Sequence, residues 1–175
     1  MTDRDVLNLI TTASKEFGLK CKKFGGALAV EIVRDALIAE GFNVSRRDVY
    51  IKGIPIEIDL LIARQGVTPD RGILFYKDEV LVALEIKSRG TFGEASIRSI
   101  AGNFSAIREA SKGIHCIYLT ISERKSYKFR ATKGNINAPV YTLFWHSGPE
   151  DNLKLESTGD WDRFIAELRQ IKNGG

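Results

Sequence analysis

Apolar residues recur at three- and four-residue intervals over four stretches of the chain, and at two-residue intervals or in short unbroken runs over several others. The first helical stretch covers about Thr2 to Phe17, with Thr2 or Asp3 as N-cap and Gly18 as the stop. A basic run, Lys20-Cys21-Lys22-Lys23-Phe24, and Gly25-Gly26 lead into a second helix over about Ala27 to Glu40, closed by Gly41. Partial alternation from Phe42 to Lys52 predicts a strand, and Ile54 to Ile62 predicts another, in which Glu57 and Asp59 share the face opposite Ile54, Ile56, Ile58 and Leu60. Thr68-Pro69-Asp70-Arg71-Gly72 carries turn residues, and Ile73–Tyr76 with Val80–Lys87 reads as a hairpin around Lys77-Asp78.

A third helix spans about Glu94 to Ala110, with Ile97, Ile100, Ala101, Phe104 and Ile107 on one stripe. Ile114 to Ile121 is nearly all apolar, as expected of a strand covered on both faces. A strand near Val140 to Trp145 and a helix over about Asp160 to Ile171, carrying Trp161, Phe164, Ile165 and Leu168, complete the chain. The order predicts one α/β (α+β) domain over residues 1–175, a mixed central sheet flanked by helices.

Composition leaves this picture intact. At 175 residues, 43% hydrophobic and 27% charged, the chain has ordinary globular usage and is long enough to bury a core. No apolar run reaches the roughly 20 residues a membrane helix needs, and the start is not that of a secretory signal, so a cytoplasmic protein is expected. Cys21 and Cys116 are read as a reduced pair, with one disulfide as the alternative. Neither cysteine has a zinc-like spacing to His115 or His146. His115, inside an apolar strand, is read as a core residue.

Charge changes the picture more. The 26 Lys and Arg outnumber 22 Asp and Glu, and the excess is local: residues 122–137 hold five cations against Glu123 alone. Such concentration suggests contact with a polyanion; a solvated basic loop is the plain alternative.

One strand breaks the rule that strand interiors are apolar. In Leu81-Val82-Ala83-Leu84-Glu85-Ile86-Lys87, Glu85 and Lys87 share a face about 7 Å apart along the strand. If the strand carrying Asp59 pairs with it, Asp59 and Glu85 converge beside Lys87. Two hard carboxylates suit Mg²⁺ or Mn²⁺, and an ammonium can orient water or offset phosphoryl charge. A cross-strand salt bridge is the plain alternative. It would bury net negative charge without a metal, which is costly.

Asp59 followed, after 25 residues, by Glu85-Ile86-Lys87 resembles the signature of the PD-(D/E)XK nucleases. The element order resembles their restriction-endonuclease-like αβββαβ core over about residues 22–121, here with an extra N-terminal helix and a C-terminal strand and helix. Lys23-Phe24-Gly25-Gly26-Ala27-Leu28-Ala29-Val30-Glu31 and Gly41-Phe42-Asn43-Val44 are most similar to the archaeal Holliday-junction resolvase branch. The resemblance implies a metal-dependent deoxyribonuclease in which Asp59, Glu85 and the Ile86 carbonyl ligate Mg²⁺ or Mn²⁺. It further implies that Lys87 positions the attacking water and that Glu31 reaches the metal directly or through water.

The sequence departs from the pattern in placing Ile58, not proline, before Asp59. The literal Pro69-Asp70 sits in turn chemistry and is rejected as the active pair. Glu57 reads as a solvated edge carboxylate. Glu31, Arg34 and Asp35 also fit a solvated helix stripe.

Candidate DNA contacts are Lys22, Lys23 and Gly25 before the second helix, Ser88 and Arg89 after the lysine, and Arg124, Lys125, Lys128 and Arg130. Phosphate contacts of this kind position a strand without reading its sequence. A catalytically silent nucleic-acid-binding module and a domain whose Glu85–Lys87 pair is only a salt bridge remain the alternatives. A homodimer is compatible with a two-fold substrate, and the Trp161 stripe serves either as its interface or as ordinary core.

Overall fold

The structure is a computed structural model, and it describes residues 2–16, 26–89, 94–124, 136–148 and 154–174. Helix α1 runs Asp3–Glu16 and helix α2 Gly26–Ala39. Thr2 caps α1: the Asp5 N–H donates to its hydroxyl, and the Thr2 N–H donates to the Asp5 carboxylate, a reciprocal box. At the end of α2, Gly41 has φ +84°. Its N–H donates to the Ile38 carbonyl and that of Phe42 to Leu37, a Schellman closure that needs the left-handed glycine.

The strands are β1 (Asn43–Val44), β2 (Val49–Ile51), β3 (Ile54–Ile58), β4 (Leu60–Ala63), β5 (Leu74–Phe75), β6 (Val80–Arg89), β7 (His115–Arg124), β8 (Val140–Ser147) and β9 (Lys154–Ser157). Helix α3 (Glu94–Ala110) lies between β6 and β7, and α4 (Asp160–Gly174) follows β9. Among the described residues six strands form one sheet in the order β1-β4-β6-β7-β8-β9, and three form a second, β3-β2-β5. Within the large sheet β6, β7 and β8 are parallel and the outer pairings are antiparallel, so the sheet is mixed as expected.

Both faces of the large sheet are covered. One packs Val82, Leu84 and Ile86 of β6 and Ile117 and Leu119 of β7 against α1, α2 and α4; the other packs Ala83, Cys116 and Tyr118 against α3 and the small sheet. Double coverage explains the near-continuous apolar runs of β6 and β7. Cys116 is a free, buried thiol whose pKa burial pushes up to about 11.

Four local readings are corrected. The Phe42–Lys52 strand is two short strands in different sheets. The Ile54–Ile62 strand is also two, because the chain crosses between sheets at Asp59. The hairpin around Lys77-Asp78 does not form: Lys77–Glu79 is a 3-10 turn in which the Glu79 carboxylate accepts from the Tyr76 N–H. Its two arms part, β5 joining β2 in parallel and β6 joining β4. Finally, β9 adds a strand that periodicity does not announce; it pairs antiparallel with β8 at the sheet edge.

Candidate functional site

The crossing at Asp59 makes the site. Leu60 pairs with Leu84, and one residue earlier the chain leaves the large sheet for the small one. Where the ladder would continue, the Asp59 carboxylate takes over, its Oδ2 accepting from the Ile86 N–H at 2.6 Å. The Asp59 carbonyl in turn accepts from the Asp48 N–H at 3.3 Å. In an antiparallel ladder a residue's N–H and C=O project to the same side, so the Ile86 carbonyl also faces the side vacated by β4.

Glu85 and Lys87 point to the α3 face of β6, in register with Tyr118 and Thr120 of β7. Lys87 Nζ lies 3.8 Å from Asp59 Oδ2 and in short contact with Glu85 Oε1. The side chains of Asp59 and Glu85 are only 23% and 16% exposed. Together the trio carries one net negative charge. Such a charge, half out of water, is costly unless a further cation offsets it.

The protonation behaviour follows. Desolvation raises the Asp59 pKa, and the Ile86 hydrogen bond and the Lys87 charge recover only part of the shift. Desolvation, then the Asp59 charge, raises Glu85 above the usual carboxylate range, against the pull of Lys87. Burial alone would lower Lys87, but its contacts with Glu85 and Asp59 outweigh that and raise it, so it is an ammonium at neutral pH. Because both carboxyls titrate higher when folded, their contribution to stability is greatest at acid pH and is lost as pH rises through the raised values. A cation displaced by those protons must bind more weakly on acidification. Titration calorimetry with Mn²⁺ is therefore expected to lose affinity at pH values above the ordinary carboxylate range, and affinity that stays flat down to about pH 4.5 would contradict the reading.

The donor set can be tested against a metal. Among the described residues no group of three or more His, Cys, Asp and Glu side chains lies close enough to chelate one. That disfavours a closed zinc cage. It suits Mg²⁺ or Mn²⁺, which bind through one or two carboxylates and keep several waters. Asp59, Glu85 and the Ile86 carbonyl are the residues able to hold such an ion.

A cleft of about 260 Å³ opens beside them, walled by Ala27 and Val30 of α2, Arg47 and Asp48 of the β1–β2 loop, and Asp59, Ile86, Lys87 and Ser88. Glu31 is not gathered with the two carboxylates. It sits half-exposed on α2, 3.8 Å from Arg34 and 3.9 Å from Arg47. Glu57 is exposed and accepts from the Tyr50 hydroxyl at 2.6 Å, away from Asp59. Asp70 lies in the Pro69–Gly72 turn.

Ser88 lines the cleft, and Arg89 ends β6 opposite Ser122. Arg124 is exposed at the end of β7, which finishes at the same end of the sheet as β6 and Lys87 because the two strands are parallel. Lys22, Lys23, Gly25, Lys125, Lys128 and Arg130 lie outside the described residues. His115 is corrected: β7 begins there and leaves it exposed, with burial starting at Cys116. A larger hollow of about 820 Å³ lies where β6 and β7 begin, lined by residues including Leu81, His115 and Gln170, away from the carboxylates. Arg47 and Asp48 are the cleft residues that sequence reasoning missed; on the sequence they are ordinary loop charges.

No protein-family model matches the sequence, and no curated protein matches it. Among solved structures the fold is similar to NucC of E. coli MS115-1 in its cAAA-bound form, with TM-score 0.63, 11% identity, and coverage of 98% of this chain and 91% of that one. It is similar to the same protein's apo form at TM-score 0.55, 12% identity, and coverage of 93% and 90%. NucC of P. aeruginosa ATCC27853, cAAA-bound, gives 0.60, 11% identity, and coverage of 98% and 92%. At this identity the likeness is one of fold, and it extends over nearly the whole length of both chains.

Proposed function

We propose that the protein is a metal-dependent deoxyribonuclease that hydrolyses phosphodiester bonds at Asp59, Glu85 and Lys87. The observation that carries this is the convergence of the three at the point where the chain crosses between sheets, with Asp59 tied to the backbone of Ile86. The fold shared with NucC, itself a nuclease of the PD-(D/E)XK type, supports the same reading. Two desolvated carboxylates with raised pKa values are a standing cost to a protein that only binds nucleic acid, which argues against the silent module.

Bound Mg²⁺ or Mn²⁺ would supply Lewis acidity, polarising a phosphoryl oxygen and acidifying water. Asp59 and Glu85 hold the ion's charge in place, and the Ile86 N–H fixes the Asp59 rotamer. Lys87, protonated, donates hydrogen bonds from Nζ to the attacking water or to the charge developing on phosphate. It is not the base. Ala27 and Val30 form the apolar wall of the cleft. Arg89 and Arg124, with the basic run that follows Arg124 in the sequence, are the proposed backbone contacts.

A branched or four-way substrate is the finer part of the proposal, resting on the resemblance of the Gly25-Gly26 helix start to the junction-resolving branch. Action as a homodimer in the cytoplasm belongs to the same finer part. A panel of supercoiled plasmid, single strand, flap and four-way junction, each with Mg²⁺, Mn²⁺ or EDTA, tests both levels. Cutting that EDTA and Lys87→Ala each abolish is expected, with a loss of at least about 10³-fold in the variant. Cutting that survives EDTA would exclude the metal, and equal rates on all four substrates would exclude junction preference.

A further inference from the structure

Beside the catalytic trio the cleft holds one more cation. Arg47 lies in its wall together with Asp48, Asp59, Lys87 and Ser88. Its Nε is 3.4 Å from Asp48 and 3.9 Å from Glu31, and in both pairs Nε is the nearest nitrogen. Neither contact is a hydrogen bond of ordinary length. All three side chains are close to half exposed, at 43%, 50% and 43%. Ion pairs this loose and wet contribute little, so re-aiming the guanidinium is cheap.

The backbone under Arg47 is less free. Asp48 has φ +57°, a left-handed conformation that aspartate tolerates. Its N–H donates to the carbonyl of Asp59, the residue at the sheet crossing. The guanidinium is therefore loosely paired, while the backbone one residue on is bonded to Asp59. Arg34 occupies the other side of Glu31, its Nε donating to the Ser45 carbonyl at 2.9 Å, and so is committed to structure.

The cleft's charge shows what the guanidinium is for. Of the charged residues that line the cleft, Asp48 and Asp59 are balanced by Lys87 and Arg47, and a nucleic-acid strand brings further negative charge. Lys87 is already committed to Glu85 by a short contact. Arg47 is the cleft cation whose pairs are long, and a guanidinium fork matches two phosphate oxygens. We propose that Arg47 is the phosphate-holding residue of this site: on substrate binding its guanidinium leaves Glu31 and Asp48 for the phosphate beside the one being cut. The proposal rests on the nuclease reading above. Glu31 then acts as the resting partner of Arg47 rather than as a metal ligand.

The test separates the two claims. In an Asp59→Asn background, which cannot cut, Arg47→Ala is expected to bind a duplex oligonucleotide about tenfold more weakly, with a salt slope shallower by about 0.9, the loss of one phosphate contact. Arg47→Lys keeps the charge and should restore the slope. Lys112→Ala, an equal charge loss on the exposed turn before β7 at the opposite end of the sheet from Lys87, should change neither. With Asp59 intact, Arg47→Ala should cut at least about tenfold more slowly in single turnover while Mn²⁺ titration is unchanged. Arg47→Lys also guards against misfolding of the alanine variant. Unchanged affinity, slope and rate in Arg47→Ala would overturn the proposal while leaving the nuclease reading untouched. A wild type that binds DNA with an Arg47-dependent slope but never cuts would sink the nuclease reading and support the phosphate contact. A wild type that neither binds nor cuts would overturn both.

Discussion

Asparagine in place of Asp59 will yield a protein that melts higher than the wild type without metal and has lost its metal-dependent cutting. The two effects have one cause. Asp59 and Glu85 are two like charges held largely away from water with a single ammonium between them. Removing one charge leaves a neutral Glu85–Lys87 pair, while the asparagine oxygen still accepts from the Ile86 N–H. The metal-free protein should gain about 1 kcal/mol, or roughly 2–4 °C at this chain length. Activity should fall by at least about 10³-fold, because one of the two carboxylates proposed to hold the metal is gone. If Asp59 were merely a salt-bridge partner of Lys87, the same substitution would lower the melting temperature. The sign of the shift therefore separates an active site from a structural ion pair.

Truncating Trp161 to alanine will cost about 3–5 kcal/mol. Trp161 and Phe164 are fully buried on α4, their ring centroids 5.8 Å apart, with Ile165 and Leu168 on the same buried stripe. They pack on the large sheet with residues of α1 and α2, so the stripe is ordinary core and not an exposed dimer surface. A loss of that size is a large part of the roughly 5–15 kcal/mol that stabilises a typical domain. Denaturant unfolding followed by fluorescence and circular dichroism measures it. A variant of unchanged stability that only shifts in size-exclusion chromatography would instead assign the stripe to association.

Most of the architecture was legible because it depends on local periodicity. Helix α3 occupies Glu94–Ala110 as its stripe indicates, and β6 and β7 carry the apolar runs that double coverage requires. What was not legible is non-local. Ile54 to Leu60 alternates without a break, and nothing within those residues announces a change of sheet. The change is imposed from outside, by Asp48 bonding the Asp59 carbonyl and Ile86 bonding its carboxylate. The supposed hairpin failed for a related reason: Leu74 pairs with Tyr50 of β2, 24 positions earlier, and not with β6. Strand β9 is only four residues, too short for period two to register.

The site shows the same division. Glu85 and Lys87 stood out because a charged pair in an apolar strand is conspicuous, and Asp59 because it interrupts another. Arg47 and Asp48 gave no such signal, since a loop of charged residues is what any surface turn looks like. Their place in the cleft comes from the crossing at Asp59. Glu31, expected near the metal, is on the facing helix but turned to the arginines.

The sheet crossing at Asp59 is proposed to build a divalent-cation site. Its most direct test is a thermal melt of wild type and Asp59→Asn, each with EDTA and with Mn²⁺. Binding to the folded state alone stabilises by about 2.7 kcal/mol at a hundredfold excess over Kd. Mn²⁺ is expected to raise the wild-type midpoint by several degrees and to leave that of Asp59→Asn where EDTA leaves it. Equal midpoints with and without Mn²⁺ in the wild type, or an equal rise in both proteins, would contradict it.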